Sequence, residues 1–302
     1  MPLAKRSRSA EIFGAKPAGE RRKIVGKMGP WQLVRLLGEG EMTRVYLARP
    51  LASPDATPSY AVKVLRKEWW QDSDAIETIR READVGRQIN HPGLTAVLSS
   101  HTDKPPFYLV TPRLIGQSAD KLLADYHPLS VGRVLWIARQ TVESLAALLA
   151  GTNMTHGDVK PANLFVSPEG HVTLIDLGFC RTMGEDHVWS SRLVLGTLRY
   201  LAPELMTSLG ATGPASDLYS LGVTLYEMLS GRPPFDATEP AKLIESHLRA
   251  IATPLQYAAP RTPPEVASLV HRLMAKEPLR RPSSHEELID ELMRLEISCF
   301  AA

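Results

Sequence analysis

The sequence predicts an α+β chain of two lobes, a small antiparallel sheet with one main helix followed by a larger, mainly helical part. Three observations carry this. Residues 31–66 alternate apolar and polar side chains, the period-2 pattern of half-buried strands. One helical stretch, 72–90, follows and is closed by His91-Pro92-Gly93. From Ala119 onward apolar residues recur at helical spacing, most clearly over 131–150. Strands first and helices afterwards fit α+β rather than the alternating units of a parallel sheet, and ligands commonly sit in the cleft between two such parts.

Taken in order, residues 1–30 hold eight Lys/Arg against Glu11 and Glu20, a net +6, and show no sustained apolar period. They are expected to form a basic flexible arm. Strands are expected at 33–37, 45–48 and 60–64. Between the second and third, residues 49–59 contain Pro50, Pro54 and Pro58 and read as a long surface connection. Two further strands are expected at 95–99 and 107–111, and helices at 131–150, 215–229, 241–251 and 264–274. The small lobe then runs over about 31–112, the large lobe over about 113–295, and 296–302 is a tail. No internal repeat is visible.

Composition excludes several classes. With 302 residues, 44% apolar content and a net charge of +2, the chain is neither disordered in bulk nor a general nucleic-acid binder. Cys180 and Cys299 are too few for a disulfide framework and indicate a reducing compartment. No apolar run approaches the roughly 20 residues of a membrane span, and the basic amino terminus lacks the apolar core of a secretion signal. The expectation is a soluble, cytoplasmic protein of open oligomeric state.

The chemistry is concentrated in Thr155-His-Gly-Asp-Val-Lys-Pro-Ala-Asn163 and Leu174-Ile-Asp-Leu-Gly178. An aspartate able to accept a hydroxyl proton (Asp158), a lysine two residues on (Lys160), an amide five residues on (Asn163) and a second carboxylate (Asp176) are what phosphoryl transfer from ATP-Mg requires. These segments resemble the catalytic and metal-binding loops of protein kinases. The resemblance extends over about 31–295, with the motifs in family order and spacing, and is strongest to bacterial Hanks-type Ser/Thr kinases. It implies a bilobal kinase fold, with ATP and Mg²⁺ as cofactors.

By the same resemblance, Leu37-Gly-Glu-Gly-Glu-Met-Thr-Arg-Val45 is the glycine-rich loop, where Leu37, Gly38, Glu39, Gly40 and Val45 contact the nucleotide. On its own this stretch reads as an ordinary hairpin turn. Glu41 and Thr43 stand where the family usually has glycine, which predicts a stiffer and more negative loop. Ala61-Val-Lys63 resembles the strand whose lysine holds the α- and β-phosphates, with Glu82 as its ion-pair partner and Glu77 as a rival. Gly86 replaces a large apolar residue and is expected to leave a gap. Thr111 resembles the gatekeeper before a hinge that includes Leu114. Val45, Ala61 and Phe165 are implied to sandwich the adenine.

Asp158 is implied as catalytic base, Lys160 as the γ-phosphate cation, and Asn163 with Asp176 as the metal ligands. Gly157 stands where the family has an arginine, which removes the cation that pairs with a phosphorylated activation loop. Ser190 and Ser191 in that loop are read as solvated residues, and Cys180 as an unremarkable buried thiol. The catalytic loop alone is shared with aminoglycoside- and choline-type small-molecule kinases. Gly196-Thr-Leu-Arg-Tyr-Leu-Ala-Pro-Glu204, which they lack, resembles the peptide platform of Ser/Thr kinases, with Thr197 bonding the Asp158 and Lys160 pair. Asp217 is implied to hold the catalytic-loop backbone and Arg281 to pair with Glu204. The expected partners are protein substrates with Ser/Thr acceptors. The main alternative is a pseudokinase or slow nucleotide-binding scaffold, suggested by Glu41, Thr43 and Gly86.

Overall fold

Alternating side chains build the small lobe. A computed structural model of the chain, which describes residues 25–184, 195–207 and 212–300, contains a six-stranded antiparallel sheet. Its strands are β1 (Gly26–Met28), β2 (Trp31–Glu39), β3 (Thr43–Pro50), β4 (Tyr60–Leu65), β5 (Ser99–His101) and β6 (Tyr108–Pro112), in the order β1-β2-β3-β4-β6-β5. The register pairs Val45 with Lys63, Lys63 with Leu109 and Ala61 with Thr111. Opposed residues share a face, so Val45, Ala61, Lys63 and Thr111 stand on one side of the sheet. The alternate residues Val62, Val64, Tyr108 and Val110 close a separate apolar cluster with Leu33 and Ala48.

Helix α1 (Ser73–Gln88) starts at Asp72, whose carboxylate accepts from the Asp74 and Ala75 amides at 3.1 and 3.0 Å. A cap of this kind contributes about 1 kcal/mol. Ala75, Ile79 and Ala83 pack with Leu65, Val97, Phe107 and Leu109, which seats α1 on the face that carries Lys63. Its last turn, with Ile89 and Leu94 beyond it, belongs to the core of the large lobe. Backbone bonds from Leu174 N to Gly93 O (2.8 Å) and from Thr95 N to Leu174 O (3.2 Å) join the lobes behind the helix.

The large lobe contains β7 (Gln117–Ser118), α2 (Ala119–Tyr126), α3 (Val131–Thr152), β8 (Met154–Thr155), β9 (Leu164–Val166), β10 (Val172–Leu174), β11 (Arg181–Thr182), α4 (Leu195–Leu198), α5 (Pro214–Ser230), α6 (Pro240–Arg249), α7 (Leu255–Ala258), α8 (Pro264–Leu273) and α9 (His285–Phe300). The unbroken run from Ser216 to Tyr226 in α5 is buried. A helix covered on every side is a core helix, and the rest of the lobe packs around it. Among the described residues no helix is long and apolar enough to cross a membrane.

Three boundaries differ from expectation. β1 lies inside the stretch read as the basic arm, because Gly26 to Met28 pair with Leu33 to Trp31 and extend the sheet. The strand expected at 95–99 is instead β5. Thr95 N and Val97 N are already bonded to Leu174 O and to Gly86 O, so the chain joins the sheet only from Leu98, whose amide donates to Val110 O. Helix α9 was not foreseen, and it runs through most of the expected tail. Its signal was present: Ser284 Oγ accepts from Glu287 N at 3.1 Å and the Glu287 carboxylate from Ser283 N at 3.2 Å, a capping pair ahead of the buried Leu288 and Leu292. The Glu296 carboxylate takes Arg139 Nε at 3.0 and 3.1 Å and ties α9 to α3.

Candidate active site

Lys63 is the first side chain the fold commits. β4 points it at α1, where Nζ lies 2.6 Å from Glu82 Oε2, and across the cleft, where it lies 2.7 Å from Asp176 Oδ1. Glu77, the rival partner, is exposed and pairs with Arg81 on its own helix. Burial works against the Lys63 charge, but the Asp176 and Glu82 carboxylates outweigh it and hold the ammonium above its ordinary range. Burial pushes Glu82 up to about 7 against the pull of Lys63. Burial acts on Asp176 in the same direction, yet Lys63 prevails and keeps that carboxyl below its ordinary value. Asp176 itself adopts a left-handed backbone, φ 70°, at the start of a short 3-10 turn, Leu177–Phe179.

The second cluster lies on the loop between β8 and β9. Asp158 Oδ2 is 2.7 Å from Lys160 Nζ and accepts from Asn163 Nδ2 at 2.8 Å, and the same amide nitrogen also donates to Asp158 O. Lys160 Nζ donates in addition to Thr197 Oγ1 at 3.1 Å. Asp158 Oδ1 is buried and has no hydrogen-bond partner among the described residues. Burial raises the Asp158 carboxyl above its ordinary value, with Lys160 and Asn163 opposing.

The loop is held from beneath. Asp217, on the first turn of α5, accepts from His156 N at 2.7 Å and from Gly157 N at 2.8 Å. Burial raises its carboxyl to about 6, although both amide bonds pull it down. His156 Nε2 donates to Ile175 O at 3.2 Å and Nδ1 accepts from Asp158 N at 3.2 Å, the neutral tautomer; burial lowers this imidazole to about 4. Gly157 has φ +77°, and a Cβ there would stand 2.5 Å from Phe179 O. The glycine in place of an arginine is therefore a steric requirement of this loop as well as the loss of a cation.

Gly40, Glu41, Met42 and Thr43, the turn joining β2 to β3, roof a cavity of about 250 Å³ whose floor includes Lys63, Glu82, Asp158, Lys160 and Asp176. The turn is closed by Gly40 N donating to Thr43 O at 2.8 Å. Arg44 Nη2 lies 2.8 Å from Glu39 Oε1 and offsets that carboxylate, and Arg66 Nη1 donates to the backbone oxygen of Glu41 at 3.1 Å. Leu37, Gly38, Glu39, Val45, Ala61, Thr111, Leu114 and Phe165 do not line this cavity. It lies under the turn and against α1, whereas Val45, Ala61 and Thr111 stand farther along the sheet face, and Leu114 and the half-buried Phe165 come from the interlobe connection and β9.

The gap expected at Gly86 is absent. A Cβ at Gly86 would stand 2.5 Å from Val97 Cγ2, and Val97 N donates to Gly86 O at 3.0 Å, so the space is filled from the segment before β5. Cys180 is buried, with its thiol raised by burial, and Ser190 and Ser191 lie outside the described residues. Arg281 and Glu204 form a two-pronged pair at 2.6 and 2.8 Å, and Ser216 Oγ adds a bond to Glu204 at 2.8 Å. Sequence reasoning missed Met42 in the roof, Phe179 in the wall and Arg66, which braces the roof from outside the cavity. Arg66 contacts backbone carbonyls 25 and 26 residues away, and a contact with a backbone group leaves no side-chain pattern to read.

The chain matches the protein kinase domain family over residues 31–293. It is 28% identical over 267 residues to the serine/threonine-protein kinase PrkC of Bacillus subtilis, covering 88% of this chain and 40% of that protein. It is 32% identical over 258 residues to PknA of Mycobacterium tuberculosis, covering 84% and 58%. With pkn2 of Myxococcus xanthus it shares 34% over 273 residues, covering 87% and 32%. The chain thus spans only part of the length of these relatives. Because the match runs through both lobes and every element that lines the cleft, this chain belongs to the protein kinase family.

Proposed function

We propose that the chain transfers the γ-phosphate of ATP to serine or threonine hydroxyls of protein substrates. The observation that carries the reading is Asp158. One carboxylate oxygen is held by Lys160 and Asn163, while the other is buried, has no partner among the described residues and is free to receive a hydroxyl proton. Its raised pKa brings a carboxylate closer to the range in which a general base is effective. As the substrate oxygen bonds to the γ-phosphorus and the bond to ADP breaks, the hydroxyl proton passes to Asp158 and Lys160 offsets the charge on the transferred group. Lys63, fixed by Glu82, is the cation for the α- and β-phosphates, and Val45, Ala61, Thr111, Leu114 and Phe165 are proposed to surround the adenine.

The donor set fits a hard divalent cation such as Mg²⁺. Asp176 offers a carboxylate, and Asn163, with its amide nitrogen committed to Asp158, offers its carbonyl oxygen. The ion, when bound, neutralises phosphate charge. Lys160 bonded to Thr197 supports a serine or threonine acceptor, and the Glu204–Arg281 pair beneath that segment supports a peptide rather than a small-molecule acceptor. ATP as substrate and the unpaired Cys180 and Cys299 support a cytoplasmic setting.

The test is transfer from radiolabelled ATP, with magnesium, to a generic basic protein, followed by identification of the labelled residue. Label on serine or threonine is expected, and Asp158→Asn should lower its rate by about 100-fold or more while nucleotide binding persists. Transfer by the variant at the wild-type rate, or label only on an aminoglycoside or choline, would refute the proposal.

A further inference from the structure

The roof of the cleft is fastened by one residue. Arg66, directly after β4, donates from its backbone N to Met42 O at 2.8 Å and from Nη1 to Glu41 O at 3.1 Å and Gly40 O at 3.5 Å. Three consecutive carbonyls of the turn therefore rest on Arg66, and the fourth, Thr43 O, accepts from Gly40 N. The guanidinium is also 3.7 Å from Glu39 Oε1, which Arg44 holds at 2.8 Å. Met42, between these anchor points, packs on the apolar cluster of Leu65, Ala75 and Ile79 beneath the turn.

Arg66 lies three residues after Lys63 on the same stretch of chain. The residue that fastens the roof and the cation on the floor are thus placed by one strand, and the height of the turn above Lys63 depends on contacts at Arg66. Glu41 and Thr43 remove two positions at which glycine would let the turn flex. A turn with little freedom is useful only if it is held at a productive height, and Arg66 is the group in position to hold it.

We propose that Arg66 is a positioning residue for nucleotide, setting the height of the Gly40–Thr43 turn over the phosphates. This rests on the kinase reading above. It goes beyond the motif residues, because Arg66 does not line the cavity and acts only through the turn. The consequence is selective. Losing Arg66 weakens nucleotide retention and leaves the peptide side of the cleft, with Lys160, Thr197 and Glu204, unchanged.

The test compares wild type, Arg66→Met and Arg66→Lys by direct binding of a fluorescent ATP analogue with magnesium, by steady-state kinetics in ATP and in peptide, and by thermal unfolding. Arg66→Met is expected to raise the ATP dissociation constant and KM about fivefold to tenfold, the effect of losing partly exposed charged hydrogen bonds. The peptide KM should not change, and Tm should stay within about 2 °C of wild type, as expected for a largely surface change. Arg66→Lys should recover part of the affinity, since one ammonium can serve the same carbonyls. Nucleotide affinity within twofold of wild type in Arg66→Met would overturn the proposal. So would equal losses for ATP and peptide with a fallen Tm, the signature of a purely structural role. A wild type that binds no nucleotide would overturn the kinase reading along with it.

Discussion

Replacing Gly86 with alanine sets two effects in α1 against each other. A glycine in a helix interior costs up to about 1 kcal/mol relative to alanine, so propensity alone favours the change. The added Cβ, however, would stand 2.5 Å from Val97 Cγ2, 3.1 Å from Val97 Cβ and 3.3 Å from Val97 N. Val97 cannot turn aside cheaply: its branched side chain is stiff at χ1, and its amide is bonded to Gly86 O. Overpacking costs about 1–3 kcal/mol, and backbone among the obstacles places this site in the upper half, leaving a net loss of about 1–2 kcal/mol. For a domain of this size that lowers Tm by about 2–4 °C. The chemistry should follow, because Glu82 lies one turn before Gly86. A helix lifted off Val97 draws Glu82 away from Lys63, now 2.6 Å distant, and kcat/KM for ATP falls. Calorimetry and kinetics on Gly86→Ala, Val97→Ala and the double variant provide the assay, and the double variant should recover at least about 1 kcal/mol of the summed losses. A Gly86→Ala protein with raised Tm and unchanged kcat/KM would refute the reasoning, since it would show that room exists beside Gly86.

Three further outcomes follow from the same geometry. Lys63→Met leaves the buried Glu82 carboxylate and the half-buried Asp176 carboxylate without their shared cation, and kcat/KM for ATP should fall by about 100-fold or more in steady-state kinetics. Arg281→Met strands the Glu204 carboxylate in the large lobe and should cost about 3–5 kcal/mol, read as a Tm lowered by about 5–9 °C. Asp217 has a folded-state pKa raised by burial to about 6. The native state therefore holds a proton between about pH 4 and 6 that the unfolded chain has released, and wild-type stability from this group rises as pH falls through that window. Asp217→Asn lacks this proton uptake, so the stability gap between wild type and variant, measured by denaturant titration, should widen from pH 6 to pH 4 by up to about 3 kcal/mol.

Legibility divided along physical lines. The strands of the small lobe and the long helices were readable because burial on one face forces a period onto the side chains, and local capping starts α1 at Asp72 and ends α3 at Asn153. The strand at 95–99 was misplaced because its first amides are taken by Leu174 and Gly86, partners that no local pattern announces. Helix α9 carried a capping signal that went unread. In the site, Asp158, Lys160 and Asn163 were legible from spacing, since a short loop brings a residue and its second and fifth successors together whatever the rest of the fold does, whereas Asp176 was legible only as part of its own motif beyond the hairpin. Glu82 could be preferred over Glu77 only by resemblance. The structure separates them by helix face, with Glu82 inward to Lys63 and Glu77 outward to Arg81.

The sequence by itself determined the order of the elements, the chemical groups available and the loop that presents Asp158, because each is a property of neighbours along the chain. Tertiary structure alone decided what lies beside what across the chain. Val97 fills the place of Gly86, Arg66 fastens a turn 25 residues before it, Asp217 holds amides 60 and 61 residues away, and Lys63 is shared between two carboxylates. These pairings depend on packing and on backbone groups, which every residue carries alike, and a one-dimensional pattern does not distinguish among them.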